Sequence, residues 1–434
     1  MQSDQDGCLW TAPNLPEPRN GAARHDIGII GGGLGGLAAA LQAARQGASV
    51  LVVDAGPIGG GAAGRNGGQV LPGLKVGLPA LRQRFGEVAA NRLVRFADSV
   101  VDRVEALVED HHIACAFTRA GWYQPVHAPS RMDAIRARYE TAAASGAPVR
   151  WLDRARMAEA LGTTAYLCGW TDPRAATVQP AALVHGMAEA CLAAGVTLLP
   201  HVRISDIASA TNGYELHGDG RSWHVTKVVV ATHAGPAPLP ELDAGAVSLD
   251  SAQVATHPLP EALRARILPC GGSVSDSRRS LIYWRLSPDG RLVVGGRGGI
   301  ARRTADAHFA RLRRIAVALH PDVATIGFSH AWSGRVVMTA DALPRLHEPL
   351  PGIFALHGCN GRGIAMMIGL GGALADRALG VTGPEALPLP VTPMAALPLA
   401  PLRRIGAALV GSWFGWRDRL DSLRPSPPPA QAPG

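Results

Sequence analysis

Gly31, Gly33 and Gly36 stand at the spacing G-x-G-x-x-G, and Asp54 follows them at the end of a short apolar run. Together these four residues could hold a dinucleotide. The first glycine permits a tight turn, the second lets a pyrophosphate approach the backbone, and the third lets helix and strand pack closely. An acid in the place of Asp54 accepts from a ribose 2′-hydroxyl and repels a 2′-phosphate, which argues against NADP. Further along, Tyr283 and Arg285 alternate onto one face of a predicted strand, with Arg278 nearby. Arginine and tyrosine can clamp a carboxylate through bidentate and hydroxyl hydrogen bonds, although a solvated sheet face has the same pattern. Lys75 could hold an acidic group or attract superoxide, or it could be a loop lysine on the surface. His233 and His357 each follow an apolar strand beside a glycine, which suits a hydrogen-bonded core histidine better than a general base. Trp284 and Trp332 read as core residues in preference to an ammonium cage.

The elements that must position these groups are visible as pattern. Ile27, Ile29 and Ile30 form an apolar, β-branched run that ends on three glycines, and Leu34 to Arg45 then keeps a helical period. Ser49 to Val53 is a second buried strand. The helix N-terminus between them offers free N–H donors and the positive end of a dipole to phosphates. The stretch GPIGGGAAGRNGGQVLPGLK is so dense in glycine that its backbone can approach a flat ligand closely. Residues 81–110 read as a long amphipathic helix, residues 121–127 as a strand, residues 132–147 as a helix, and residues 178–207 as helix then strand. The run 226–235 is another buried strand stopping at a glycine. These βα pieces belong beside the first strand in one doubly wound sheet interrupted by a second domain. Between 241 and 339 the runs alternate, with Asp289-Gly290 a hairpin signal, so an antiparallel sheet is expected there. Residues 352–380 give one more strand, glycine turn and helix of small residues.

Composition bounds the class. The chain has 434 residues, 47% hydrophobic and 18% charged, with no run of apolar residues long enough to span a bilayer. The formal net charge is +8, carried almost wholly by arginine, since Lys75 and Lys227 are the two lysines. The arginines are scattered and not interleaved with aromatics, which argues against a nucleic-acid partner. Cys8, Cys115, Cys168, Cys191, Cys270 and Cys359 show neither C-x-x-C nor metal-ligand spacing, so reduced thiols in a cytoplasm are expected and no metal. The first ten residues lack the basic and apolar regions of a secretory signal. The ends differ from the middle. Residues 1–25 read as an extended arm. From 383 the chain is proline-rich, then residues 402–420 space apolar side chains at a helical period among Arg403, Arg404, Arg417 and Arg419, as a docked helix or one lying on a membrane surface would. The last residues, from Arg424, should be disordered.

Three stretches carry a family resemblance: residues 30–56 with GRNGGQ at 64–69, YWRLSPDGRLVVGG at 283–296, and HGCNGRGIAM at 357–366. Over residues 26–382 the chain resembles the FAD-dependent oxidoreductases of the D-amino-acid-oxidase family, in the branch of glycine/D-amino-acid oxidases and gamma-glutamylputrescine oxidases. The resemblance implies an α/β and α+β fold. A Rossmann-like FAD-binding domain would be assembled from 26–80, 175–240 and 340–382, and an antiparallel-sheet substrate domain from 81–174 and 241–339. It implies a pyrophosphate on Gly31 to Gly36, a ribose at Asp54, and an isoalloxazine near Arg65, Asn66, Gly67, Gly68 and Gln69. Ile204 would pair its backbone with adenine, and Ala231 to Gly235 would line the cofactor. The turn Gly358, Cys359, Asn360, Gly361, Arg362 and Gly363 would approach the pyrimidine edge. Relatives often have aromatic-Ser-Gly-His-Gly there, which leaves the role of Arg362 open. Some relatives attach FAD through a cysteine before this turn; residues 331–344 have none, so non-covalent FAD is expected, with Cys359 a small turn residue.

The reaction so implied moves a hydride from the carbon bearing an amine to flavin N5, after which the imine hydrolyses in water. The cofactor carries the hard step, leaving the protein to orient the C–H bond, exclude water and favour the neutral amine. Oxygen is the expected acceptor, giving H2O2. The alternative is a dehydrogenase that passes electrons to a quinone or carrier at the inner face of a membrane, for which the C-terminal helix is the motive. A flavin-bound protein without turnover and an NAD enzyme are further rivals. Nothing local in the sequence selects among amino acids, secondary amines and polyamine conjugates.

Overall fold

The apolar run before Gly31 forms the strand Arg24–Ile30, which pairs in parallel on both edges: Ile29 lies opposite Val229 on one side and Val52 on the other. A strand covered on both faces must be apolar throughout, so Ile27, Ile29 and Ile30 are all buried. The computed structural model describes residues 7–13, 15, 24–235, 238–298, 305–397 and 403–423. Around this strand it builds a sheet in the order Arg345–Leu350, Ile353–His357, Arg221–Val230, Arg24–Ile30, Val50–Val53 and Thr197–Leu199. Gly213–Gly218 and Ile204–Ala210 continue it as an antiparallel meander from Arg221–Val230. Helices Leu34–Arg45, Pro180–Ala193 and Gly363–Ala378 share one apolar core with Ile27, Ile29, Val50 and Val52. Ile30, Leu51, Val53, Val228 and Val230 form another with Leu216 and Trp223 of the meander, so the second face is covered chiefly by strands where the sequence suggested helices.

A second eight-stranded sheet runs in the order Phe328–Met338, Val247–Thr256, Leu292–Arg297, Ile282–Leu286, Ser273–Ser275, Trp122–Val126, Cys168–Asp172 and Arg150–Leu152. It is antiparallel except where Ser273–Ser275 meets Trp122–Val126. Asp289-Gly290 turns the expected hairpin, with Gly290 at φ +79. The expected division at residue 81 is not where the packing divides. Helix Leu78–Asp110, bent at Gly86, buries Leu93, Val100 and Val104 in the core of the parallel sheet. It can lie there because Gly369 of the neighbouring helix leaves room: a Cβ at Gly369 would come within 2.8 Å of the Phe96 ring. Only the strands between 122 and 172 from that segment join the antiparallel sheet.

At the ends, residues 7–13 form neither helix nor strand, yet Trp10 is buried edge-to-face on Trp332 at 5.7 Å. The C-terminal helix is Arg403–Leu423. Most of the expected extended arm, Leu402 and residues 424–434 lie outside the described residues. Among the described residues no helix is long and apolar enough to cross a membrane.

Candidate active site

The glycine turn is shaped by contacts that side chains would abolish. Gly31 sits at φ +113, where a Cβ would fall 2.5 Å from the Ala231 oxygen, and a Cβ on Gly36 would fall 1.9 Å from the Gly31 oxygen. Gly33 differs, because a Cβ there would meet only Ala63 at 3.7 Å and would fill open space. Gly33 is also the N-cap of Leu34–Arg45, whose first turn carries no side-chain cap and no acid. The end of this helix is therefore free to bind an anion. Asp54 lines the same space; its carboxylate accepts from the Gly32 and Gly56 N–H groups, both at 2.8 Å, while burial pushes its pKa up. A carboxylate has further lone pairs to offer a hydroxyl. The residues present thus fit a pyrophosphate and its ribose. Ile204 lies elsewhere: its side chain is buried in the meander core and it does not line the cavity.

The loop Arg65–Gln69 is held rigidly from behind. The Arg65 carbonyl accepts from Gln253 Nε2 at 2.7 Å and Trp332 Nε1 at 3.0 Å, Asn66 O from Trp10 Nε1 at 2.8 Å, Gly67 O from Arg285 Nε at 2.7 Å, and Gly68 O from Val178 N at 2.9 Å. Four successive carbonyls are thereby claimed by protein. Asn66 adds Nδ2 to Ala63 O at 2.6 Å and accepts Gly68 N–H at 2.8 Å; Gln69 bonds Val274 O and Ser275; Arg65 Nε bonds Ser333 O at 2.8 Å. Gly68, at φ +69, has no room for a Cβ, which would fall 2.2 Å from the Arg285 guanidinium.

This corrects the expected place of Arg285. It is fully buried and donates to Gly67 O, Val178 O (2.7 Å) and Leu286 O (3.3 Å), away from the cavity, and burial pulls its pKa down to about 10. Arg285 is a positioning residue for the loop, stacked 5.0 Å over Trp10. Tyr283, two residues back on the same face, does line the cavity, wedged against Gly67 and bonded to Ser251 Oγ at 2.8 Å; burial pushes its hydroxyl up to about 12. Arg278 lines it too, but is paired with Asp276; burial opposes its charge and Asp276 more than offsets this, so its pKa rises. Trp284 and Trp332 are core residues, donating to Tyr166 and to the Arg65 carbonyl.

At the far end the turn after Ile353–His357 is pinned by Asn360, at φ +50, whose side chain accepts Thr339 N–H at 3.0 Å and donates to Gly358 O at 2.9 Å. Gly358 and Gly361 take positive φ, and Gly363 opens the helix Gly363–Ala378, again without a side-chain cap. Arg362 Nη1 donates to Pro72 O at 2.7 Å, with its guanidinium 5.6 Å from the Trp122 ring. Burial, with Arg138 adding repulsion, brings its pKa down to about 10. Lys75 reaches into the cavity beside Gly361; burial among protein, then Arg362, pulls its ammonium down to about 8.

Sequence reasoning missed one pair. His233, on a turn at φ +55, places Nε2 3.1 Å from Cys359 Sγ, and both line the cavity. Burial alone would raise the thiol, but His233, by charge and hydrogen bond, brings it down to about 7; the imidazole rises in return. Cys115, by contrast, is pushed up to about 11 by burial. A histidine and a cysteine 126 residues apart give no local signal.

Gly31, Asp54, Tyr283, Lys75, Cys359 and Arg362 border one cavity of about 1440 Å³, running from the glycine turn past Arg65–Gln69 to the strands Trp122–Val126 and Cys168–Asp172. Its volume and its mix of glycine backbone and a few polar groups suit a large cofactor together with a small substrate. The cations at its far end divide into two sets. Arg174 is held by Asp172 and Asp98, and Arg278 by Asp276, whereas Lys75, Arg138 and Arg362 are in no ion pair among the described residues.

Comparison with known proteins agrees with this geometry. The family model "FAD dependent oxidoreductase" (DAO) matches residues 26–377. "Probable oxidoreductase OrdL" of Rhizobium meliloti (strain 1021) is 30% identical over 435 residues, covering 95% of this chain and 98% of that protein. Gamma-glutamylputrescine oxidoreductase of Escherichia coli (strain K12) is 23% identical, covering 78% and 80%. The crystal structure of glycine oxidase from Geobacillus kaustophilus shares the fold with a TM-score of 0.69 at 23% identity, covering 82% of this chain and 95% of that one. The nucleotide-shaped turn, the clamped loop and a family match over most of the length lead to one conclusion: the chain belongs to the DAO family of FAD-dependent oxidoreductases.

Proposed function

We propose that the protein oxidises the C–N bond of an amino acid or other carboxylate-bearing amine, with O2 as the electron acceptor and H2O2 as its product. One observation carries the substrate reading. Lys75, Arg138 and Arg362 border one end of the cavity without an ion-pair partner among the described residues, and clustered cations in partly desolvated space favour an anion between them. FAD, when bound, supplies the two-electron acceptor for the reaction.

The chain's own residues do the rest. Gly31, Gly33 and Asp54 would hold the pyrophosphate and ribose; Arg65–Gln69, fixed by Trp10, Gln253, Trp332 and Arg285, would present a rigid surface to the ring system. Tyr283 and Arg278 border the substrate space, and Arg362 and Lys75 would steer the carboxylate. The same positive lining disfavours an ammonium ion, so the amine is bound as the free base, and its proton is lost to water on entry. FAD is held without a covalent bond in this reading, because residues 331–344, the stretch through which some relatives attach it, hold no cysteine.

Anaerobic mixing with a panel of amines and amino acids tests this. Carboxylate-bearing amines should bleach the flavin and neutral amines of the same size should not; bleaching by the neutral amines alone would overturn it. Admitting O2 should release peroxide, and its absence would establish a quinone or carrier as acceptor instead. Acid precipitation should leave the flavin in the supernatant.

A further inference from the structure

The C-terminal helix Arg403–Leu423 is amphipathic the wrong way round for a helix packed on its own protein. Its polar side faces inward: buried Asp418 accepts from Arg279 N at 3.0 Å, Ser280 N at 2.9 Å and Ser280 Oγ at 2.5 Å, and buried Asp421 pairs with Arg279. Its apolar side faces out. Ile405, Leu409, Trp413 and Trp416 are 59%, 67%, 51% and 55% exposed, and six of the ten exposed large apolar side chains among the described residues belong to this helix. With 3.6 residues per turn, Ile405, Leu409, Trp413, Trp416 and Leu420 fall within an arc of about 80°. Arg417 and Arg419 lie roughly 40° beyond its two edges by the same geometry. The Arg417 guanidinium rests 5.7 Å over the Trp413 ring, and Arg419 is exposed.

We propose that this helix lies flat on an anionic bilayer surface, its apolar strip in the interface and its arginines at the headgroups. The strip includes two tryptophans, Trp413 and Trp416, which favour that boundary, and the cations flank it on both sides as in interfacial helices. Charge selects this occupant over a second copy of the chain. The protein is formally +8, and two such helices laid face to face would bring the arginines of both copies together. Trp413 and Phe414 also line the cavity, so the docked surface sits at its mouth. The inference does not depend on which amine is oxidised.

Co-sedimentation of the full FAD-loaded chain with vesicles of phosphatidylcholine, with and without phosphatidylglycerol, tests it. The protein should pellet with the anionic vesicles and stay in solution with the neutral ones. Arg417→Gln/Arg419→Gln should weaken binding roughly twenty-fold or more, at about fivefold for each arginine near an anionic surface. Ile405→Ser/Leu409→Ser/Trp416→Ser should abolish it, with the flavin spectrum retained as proof of folding, since these side chains touch solvent and do not line the cavity. Equal binding to both vesicle types, or binding that survives the triple substitution, would overturn the proposal. So would a mass that doubles with concentration and is halved by the triple substitution without any vesicle binding.

Discussion

The thiol of Cys359 should titrate two units below an ordinary cysteine, and His233 should be the cause. At a pKa of about 7, roughly half of it is thiolate at neutral pH, against about one in a hundred at the ordinary value near 9. His233→Asn removes the cation and keeps a residue that tolerates the left-handed backbone found there. Burial then prevails, and the thiolate fraction at pH 7 falls ~50-fold. Each thiolate of the variant is about eightfold more nucleophilic, from a Brønsted slope of about 0.4–0.5 over two units, so the net rate of disulfide exchange at pH 7 should drop ~6-fold. The inflection should move from near 7 to 9 or above. The assay is reaction with methyl methanethiosulfonate, small enough to enter the cavity, followed site by site by mass mapping. Cys115, raised to about 11, should stay far slower throughout. A wild-type inflection near 9, or a profile that His233→Asn leaves unmoved, would refute the pairing; a Cys359 inert at every pH would refute its place on the cavity wall.

Lys75 predicts a break in the pH profile of turnover. It is charged below about 8 and neutral above, while a substrate carboxylate stays ionised, so the rise of kcat/KM with pH that release of the substrate's ammonium proton produces should break and level off at about 8, and Lys75→Met should remove that break. Arg285→Met should leave Gly67 O and Val178 O without donors, at about 1–3 kcal/mol each, offset by the ~3 kcal/mol that a pKa displaced from 12.5 to about 10 assigns to burying the charge. Tm should therefore move little, while the Kd for FAD rises about tenfold and the substrate KM stays put; a raised KM with unchanged FAD affinity would restore Arg285 as a substrate contact. Gly36→Ala forces a Cβ to 1.9 Å from a backbone oxygen and should yield colourless or unfolded protein at a cost above about 3 kcal/mol. Gly47→Ala, at φ +82 in open space, should cost only about 1–2 kcal/mol of strain and keep the flavin, as chemical denaturation would show.

The nucleotide half of the site was legible because its chemistry is local: Gly31, Gly33, Gly36 and Asp54 sit within one βαβ unit whose periodicity is written in consecutive residues. The hairpin at Asp289-Gly290 was legible for the same reason. Tyr283 and Arg285 do share a strand face, as alternation requires, but which object covers that face is decided by partners 218 and 107 residues away from Arg285, and the glycine loop covers it. The role of Trp10 was hidden by its setting in a stretch without periodicity. The placement of Leu78–Asp110 could not be read from its own pattern, since an amphipathic stripe says that a partner exists and not which one.

The four carbonyls from Arg65 to Gly68 are answered by Trp10, Gln253, Trp332, Arg285 and Val178, donors contributed by the N-terminal stretch, by three strands of the antiparallel sheet and by the segment just before helix Pro180–Ala193 in the other half of the molecule. Until all of those have arrived, the loop has no fixed shape to offer. Yellow colour should consequently be the last property a refolding chain recovers: an intermediate with the parallel sheet complete and the antiparallel one unformed would already have its phosphate turn, yet would release the coenzyme as quickly as it met it.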